Sequence, residues 1–146
     1  MIDFCLRLLA GLVAGLVIGM EREWQNKPAG VRTNTLVATG SALFVLLAIR
    51  LTENYSNISD ISRIIGQVVT GIGFLGAGII FKEGTDIHGL TTAATVWCSA
   101  AVGCFAGAGF FAETLIGVAA IICVNLALIP VDRWLSKRNK DMSEKK

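Results

Sequence analysis

Histidine occurs once in this sequence, at His88, and proline twice, at Pro28 and Pro130. Charge is scarce too: Asp, Glu, Lys and Arg make up 16% of the 146 residues, against 53% hydrophobic. At a mean hydropathy of +0.64, a soluble domain of this size would lack the polar surface it needs. The four cysteines (Cys5, Cys98, Cys104, Cys123) stand apart inside apolar runs, with no C-x-x-C pair and no Cys/His group. Zinc sites and thioredoxin-type redox chemistry therefore have no ligand set, and the cysteines read as small apolar packing residues. No G-x-x-x-x-G-K-[ST] loop exists, which excludes an ATP-driven pump within this chain. No nucleophile–base pair suggests an enzyme. The N-terminus has neither a basic n-region nor a small-residue cleavage site before Glu21, so a cleaved signal peptide is not expected.

What is abundant is apolar sequence. Five runs stand out, at about Phe4–Met20, Leu36–Leu51, Ile64–Phe81, Thr92–Ala108 and Phe110–Val131. Each falls within or near the roughly 17–25 residues that cross a hydrocarbon core. Inside lipid the backbone must satisfy its own hydrogen bonds, so helices are expected for all five. The expected fold is all-α, an integral membrane bundle of about five transmembrane helices over residues 1–134, with a basic cytoplasmic tail over 135–146. Six of the 13 Lys and Arg lie in the last 14 positions, so the net charge of +2 says little about nucleic acid, and no such partner is expected. A basic tail beside an apolar span reads as an anchor near anionic lipid. With five spans, the loop at 21–33, the loop at 82–89 and the tail share one side, which holds ten Lys/Arg against three on the other. The positive-inside rule then puts the N-terminus outside and the C-terminus in the cytoplasm.

The stretch TGIGFLGAGIIF at 70–81 admits three readings. Gly71-x-Gly73-x-x-Gly76 fits a dinucleotide fingerprint, but it lacks a preceding strand and an acidic residue about 20 positions on, where Thr95, Val96 and Trp97 stand. Irregular glycine backbone can also line an ion pathway. The packing reading fits better. At 100° per residue, Gly66, Thr70, Gly73 and Ala77 fall within about 60° of one another, while Gly71 and Gly78 form a second small face. A helix small on two sides is expected at the centre of the bundle. Gly11, Gly15 and Gly19 repeat the device in the first span, because small residues four apart let helix backbones approach. In the fourth span Thr92, Thr95, Ser99 and Ala106 share a face with Gly103 at its edge. This is either a polar seam against the third span or a set of hydroxyls bonded back to their own carbonyls.

Charges cluster at the end of the first span. Asp3 and Arg7, four apart, can neutralise each other at its start, while Glu113 is expected to snorkel to the interface. Glu21, Arg22 and Glu23 end the span, and Lys27, Pro28, Gly30 and Arg32 follow. Paired carboxylates could take Mg²⁺, which prefers one or two of them while keeping its waters; no other cofactor is expected. Pro28 restricts Lys27, and Gly30 permits a tight reversal. The loop is expected to be ordered, folding Arg32 back towards Glu21 and Glu23 beneath the third span.

Four motifs occur in order: GMERE at 19–23, KPAGVRT at 27–33 with Leu36, Val37 and Gly40 after it, TGIGFLGAG at 70–78, and GLTTAATVW at 89–97 with Ala100, Ala101 and Gly103. Together they resemble the MgtC/SapB family of bacterial inner-membrane proteins. The resemblance implies a multi-pass protein linked to growth at low magnesium and, in pathogens, to survival inside macrophages. Members have been labelled Mg²⁺ transport proteins, but the resemblance favours a regulatory role through partners such as the F-type ATP synthase. Virulence-type members carry a soluble C-terminal domain, whereas this sequence runs into a basic tail after Trp134, as in a short form. Some members have Asn where this chain has Thr91, a further position on the expected packing surface. Two functions follow. One is a non-enzymatic membrane protein acting through helix contacts, as a homo-oligomer or with other membrane proteins. The other is an oligomeric Mg²⁺ carrier or channel. No acidic residue lies in the middle of any span, where ion pathways usually have one, which favours the first.

Overall fold

The computed structural model describes residues 1–54, 61–130 and 134; the tail at 135–146 lies outside them. Five helices follow one another: α1 (Ile2–Trp24), α2 (Val31–Asn54), α3 (Ile61–Ile79), α4 (Leu90–Ala108) and α5 (Phe111–Ala127). Four of them are 19 to 24 residues long and apolar enough to cross a membrane, and α5 is a shorter apolar helix. The all-α membrane bundle expected from hydropathy is what the chain forms. Neither proline interrupts these helices, since Pro28 lies between α1 and α2 and Pro130 beyond the end of α5.

Local chemistry sets the helix ends. α1 stops where Asn26 turns left-handed (φ 53°), so that Lys27 N–H donates to Arg22 O and Asn26 N–H to Glu23 O, both at 3.0 Å. That paired arrangement satisfies carbonyls a helix end leaves orphaned. α4 ends in the same way at Gly109 (φ 88°), with Phe110 N–H to Phe105 O and Gly109 N–H to Ala106 O. α4 and α5 are therefore joined by a tight hairpin at Gly109 and Phe110. Arg7 packs beneath it, donating to Ala108 O at 3.4 Å and pairing with Asp3 at 2.9 Å. Between α3 and α4 the sequence marks only a polar loop at 82–89. Instead β1 (Phe81–Glu83) and β2 (Asp86–His88) form an antiparallel hairpin, with Phe81 opposite His88 and their rings stacked.

The centre of the bundle is α4. It touches α1, α2, α3 and α5, and 61% of its most apolar stretch is buried, against 11% for α3. The expectation of a central third helix is thus corrected. α3 leans on its neighbours through Ile65, Val68 and Ile72, which pack with Val45, Ala100 and Cys104. That contact turns the small faces outward: Thr70 and Ala77 are exposed, and a side chain added at Gly66, Gly71, Gly73 or Gly78 would meet nothing within 4 Å. Among the α3 glycines only Gly76 approaches the bundle, its added Cβ lying 3.7 Å from Ala93 Cβ.

The close approaches lie on either side of α2. On α1, a Cβ at Gly11 would stand 3.0 Å from Ala42 Cβ, one at Gly15 2.5 Å from Asn34 O, and one at Gly19 2.5 Å from Val31 Cα. On α4, a Cβ at Gly103 would overlap the Ala38 carbonyl, and one at Gly107 would sit 2.6 Å from Ala42 O. Ala38 and Ala42 are therefore held between two glycine-lined helices, a contact made by dispersion between backbones rather than by side-chain bulk.

Candidate functional site

The buried face of α1 runs through Gly11, Ala14, Gly15, Ile18, Gly19 and Arg22. Arg22 lies four residues after Ile18, so the same stripe that packs the helix carries a guanidinium inward at its end. It arrives where α2 and α4 begin. Asn34 is fully buried there, as is Ser99 at the middle of α4, and Glu21, Thr92 and Thr95 are nearly so.

Hydrogen bonds knit four helix ends together. Asn34 Oδ1 accepts from Ser99 Oγ at 2.8 Å, while its Nδ2 donates to Gly30 O at 3.1 Å and to Ala29 O. One amide thus ties the α1–α2 loop to the middle of α4. Glu21 receives Asn125 Nδ2 at 2.9 Å from α5 and the Gln25 amide from its own helix. Arg22 Nη2 donates to Thr92 Oγ1 at 3.2 Å. Glu23 reaches forward to accept the Val31 N–H at 3.1 Å, capping the start of α2.

The loop is folded, though not by the contacts expected. Arg32 is exposed and bonds neither Glu21 nor Glu23. Two positions on a helix differ by about 200°, so with Asn34 facing inward Arg32 must face out. Glu23 and Asn34 do the work assigned to it. Lys27 and Pro28 are exposed as well. Gly30 does not supply the reversal, which comes from the positive φ of Asn26 (53°) and Ala29 (55°). Gly30 is small for another reason: the Glu23 carboxylate fills the space where its side chain would be.

The α4 residues Thr92, Thr95, Ser99 and Gly103 are buried against α1 and α2, not against α3, which meets the other face of α4 through Ala100 and Cys104. Thr95 Oγ1 bonds back to Thr91 O at 2.9 Å and exposed Thr70 to Gly66 O at 3.0 Å, the self-satisfied arrangement. Thr91 itself faces out, about 100° round from Thr92. Three contributors escaped sequence reasoning: Asn34, Gln25 and Asn125. A signal existed for two of them, since Asn34 and Asn125 are amides set at or within apolar runs, where a polar side chain needs a partner. Among the described residues no three of His, Cys, Asp and Glu converge. The chemistry on show is a polar clasp around one buried guanidinium.

A model of the MgtC family matches residues 8–134, from α1 to past the end of α5. An uncharacterized protein of Synechocystis is 44% identical over 139 residues, covering 95% of this chain and 58% of that protein. The protein MgtC of Salmonella typhimurium is 45% identical over 128 residues, covering 88% of this chain and 53% of its own length. The protein MgtC of Brucella abortus is 48% identical over 124 residues, covering 85% and 50%. The chain therefore spans about half the length of the curated relatives it matches. No solved structure matches it.

Proposed function

We propose, on the premise that this chain belongs to the MgtC family, that it is a non-enzymatic, multi-pass protein of the bacterial inner membrane that acts through helix–helix contacts with membrane partners during adaptation to low magnesium. The observation that carries this reading is the face α3 leaves open. α1 and α4 bury their glycines within the chain, whereas Gly66, Gly71, Gly73 and Gly78 meet nothing within 4 Å. Beside them an apolar groove of about 620 Å³ separates α3 from α2, lined by Gly40, Ser41, Gln67 and Gly71 among others. Small residues are what a second transmembrane helix packs against in lipid. The partner is a second copy of this chain or another membrane protein; the F-type ATP synthase is the candidate the resemblance supplies, and a role in virulence would follow from such a partnership.

The carrier reading has less behind it. Mg²⁺ needs free carboxylate oxygens together with room for its waters. Each oxygen of Glu21 already accepts from an amide, and Glu23 is committed to capping α2. The test is Mg²⁺ uptake into liposomes containing only this protein. Flux no greater than in empty vesicles is expected. Magnesium-specific uptake that Glu21→Gln abolishes would establish the carrier instead.

The proposed orientation, N-terminus outside and tail in the cytoplasm, rests on the ten-to-three distribution of Lys and Arg. Reporters fused at Ser56 and after Lys140 should score outside and inside respectively. Both on one side would mean that one of α3, α4 and α5 does not cross.

A further inference from the structure

Arg22 is a buried charge with an incomplete set of hydrogen-bond partners. It is 2% exposed, its Nη2 has Thr92 Oγ1 as partner, and its Nε is buried with no hydrogen bond. Among the described residues the ion pairs are Asp3–Arg7 and Glu53–Arg50, so Arg22 feels the charge of Glu21 beside it without a carboxylate in direct contact. Its neighbour Glu21 is turned to Gln25 and Asn125, and Glu23 to the Val31 amide. A guanidinium carries five N–H donors and keeps its charge at any working pH, so it cannot escape by deprotonating. The end of its own helix offsets part of this, because Arg22 lies in the last turn of α1.

The surroundings on the other side make matters worse. Thr92 is the third residue of α4, and that helix begins at Gly89 with no side chain capping it. The first-turn N–H groups of a helix have no intrahelical acceptor and form its positive end. A buried cation therefore abuts the uncapped positive end of the central helix. Donors converging in this way, with the Thr92 hydroxyl as the acceptor for one of them, are the chemistry of an anion site.

We propose that Arg22, Thr92 and the first turn of α4 hold one oxyanion of the phosphate class at this rim of the bundle. The planar fork of Arg22 suits two oxygens of a tetrahedral anion, and the Thr92 hydroxyl and α4 amides offer further donors. Free inorganic phosphate and the phosphodiester of a lipid headgroup present the same oxygens. This site is independent of the α3 face and stands or falls separately from it.

The full chain in maltoside micelles, labelled with ¹⁵N-arginine, tests this. Arg22 Nε–H is observed while inorganic phosphate is added against chloride at equal ionic strength. In a second arm, phosphatidylglycerol is added against a phosphate-free galactolipid. A saturable shift of the Arg22 signal, with a higher unfolding temperature, is expected in at least one arm. Response to phosphatidylglycerol alone identifies the lipid as source, and response to phosphate identifies the free anion. Arg22→Lys should weaken binding on the order of tenfold, through loss of the bidentate fork. Thr92→Val keeps the guanidinium and should weaken it less, and it decides the matter if Arg22→Lys does not fold. A wild-type signal unmoved in both arms overturns the site. So does binding that Thr92→Val and a folded Arg22→Lys both leave unchanged, which would mark an adventitious ion only.

Discussion

Gly103→Ala should damage this protein more than Gly73→Leu, although the second change adds four times as many carbons. A methyl at Gly103 would overlap the carbonyl of Ala38. That neighbour is backbone and cannot rotate aside. Nor can α2 retreat, because on its far side a Cβ at Gly15 would already stand 2.8 Å from both Ala38 Cβ and Thr35 Cα. Overpacking a close contact costs about 1–3 kcal/mol, and a rigid neighbour on both sides puts Gly103→Ala at the upper end. Unfolding of the purified protein in detergent should show a large loss of stability, or the variant should fail to accumulate. At Gly73 nothing lies within 4 Å, so a leucine there should change stability by no more than about 0.5 kcal/mol. If the open face of α3 is the partner surface, Gly73→Leu should still lose low-magnesium growth. Wild-type stability in Gly103→Ala would sink the close contact between α2 and α4, and a normally functioning Gly73→Leu would sink the partner face of α3.

The contrast between these two glycines shows where reading the sequence stops. Hydropathy alone marks the helices, since in lipid an apolar run has few alternatives. It does not say which side of each helix faces inward. In water the apolar face points to the core, but lipid tails are as apolar as leucine, so no such force orients α3. Gly11, Gly15 and Gly19 form the same four-residue pattern as Gly66, Thr70, Gly73 and Ala77. The first set lies against α2 and the second faces outward, because Ile65, Val68 and Ile72 make the contact that holds α3. The polar rim was legible as a concentration of charge at 21–32 and illegible as a network. Arg32 looked like a partner for Glu21 and Glu23 by proximity along the chain. Helix phase gives that place to Asn34 instead, two residues on and about 200° round. Asn125, 104 positions from Glu21, had no local signal linking the two.

Asn34 should accordingly be the least replaceable polar residue of the rim. It is fully buried, and its side chain serves Ser99 Oγ, Gly30 O and Ala29 O at once. Single hydrogen bonds inside membrane proteins average only ~0.6 kcal/mol, because the unfolded reference also finds partners. Here one substitution takes the side-chain partner from Ser99 Oγ and Ala29 O, while Gly30 O keeps the residue-34 backbone N–H, and a stranded buried group costs about 1–3 kcal/mol. Asn34→Leu should therefore destabilise by roughly 2–4 kcal/mol after partial relaxation. Ser99→Ala, which leaves one acceptor of the amide unmet, should cost about 1 kcal/mol. The double variant should fall short of the sum, since both changes remove the same bond. Asn34→Asp keeps the acceptor for Ser99 but turns a donor into an oxygen facing two carbonyls, so it should be at least as damaging as Asn34→Leu. The effect should also travel: Ala29 holds its positive φ of 55° beneath that amide, a conformation costing a non-glycine residue about 1–2 kcal/mol. With Asn34 gone the loop can release that strain, drawing Gly30 away from Glu23 and uncapping α2. Protease cleavage between Gln25 and Gly30 should then rise in Asn34→Leu and not in Ser99→Ala. Equal resistance in the two variants would mean that the loop is held by Glu23 alone.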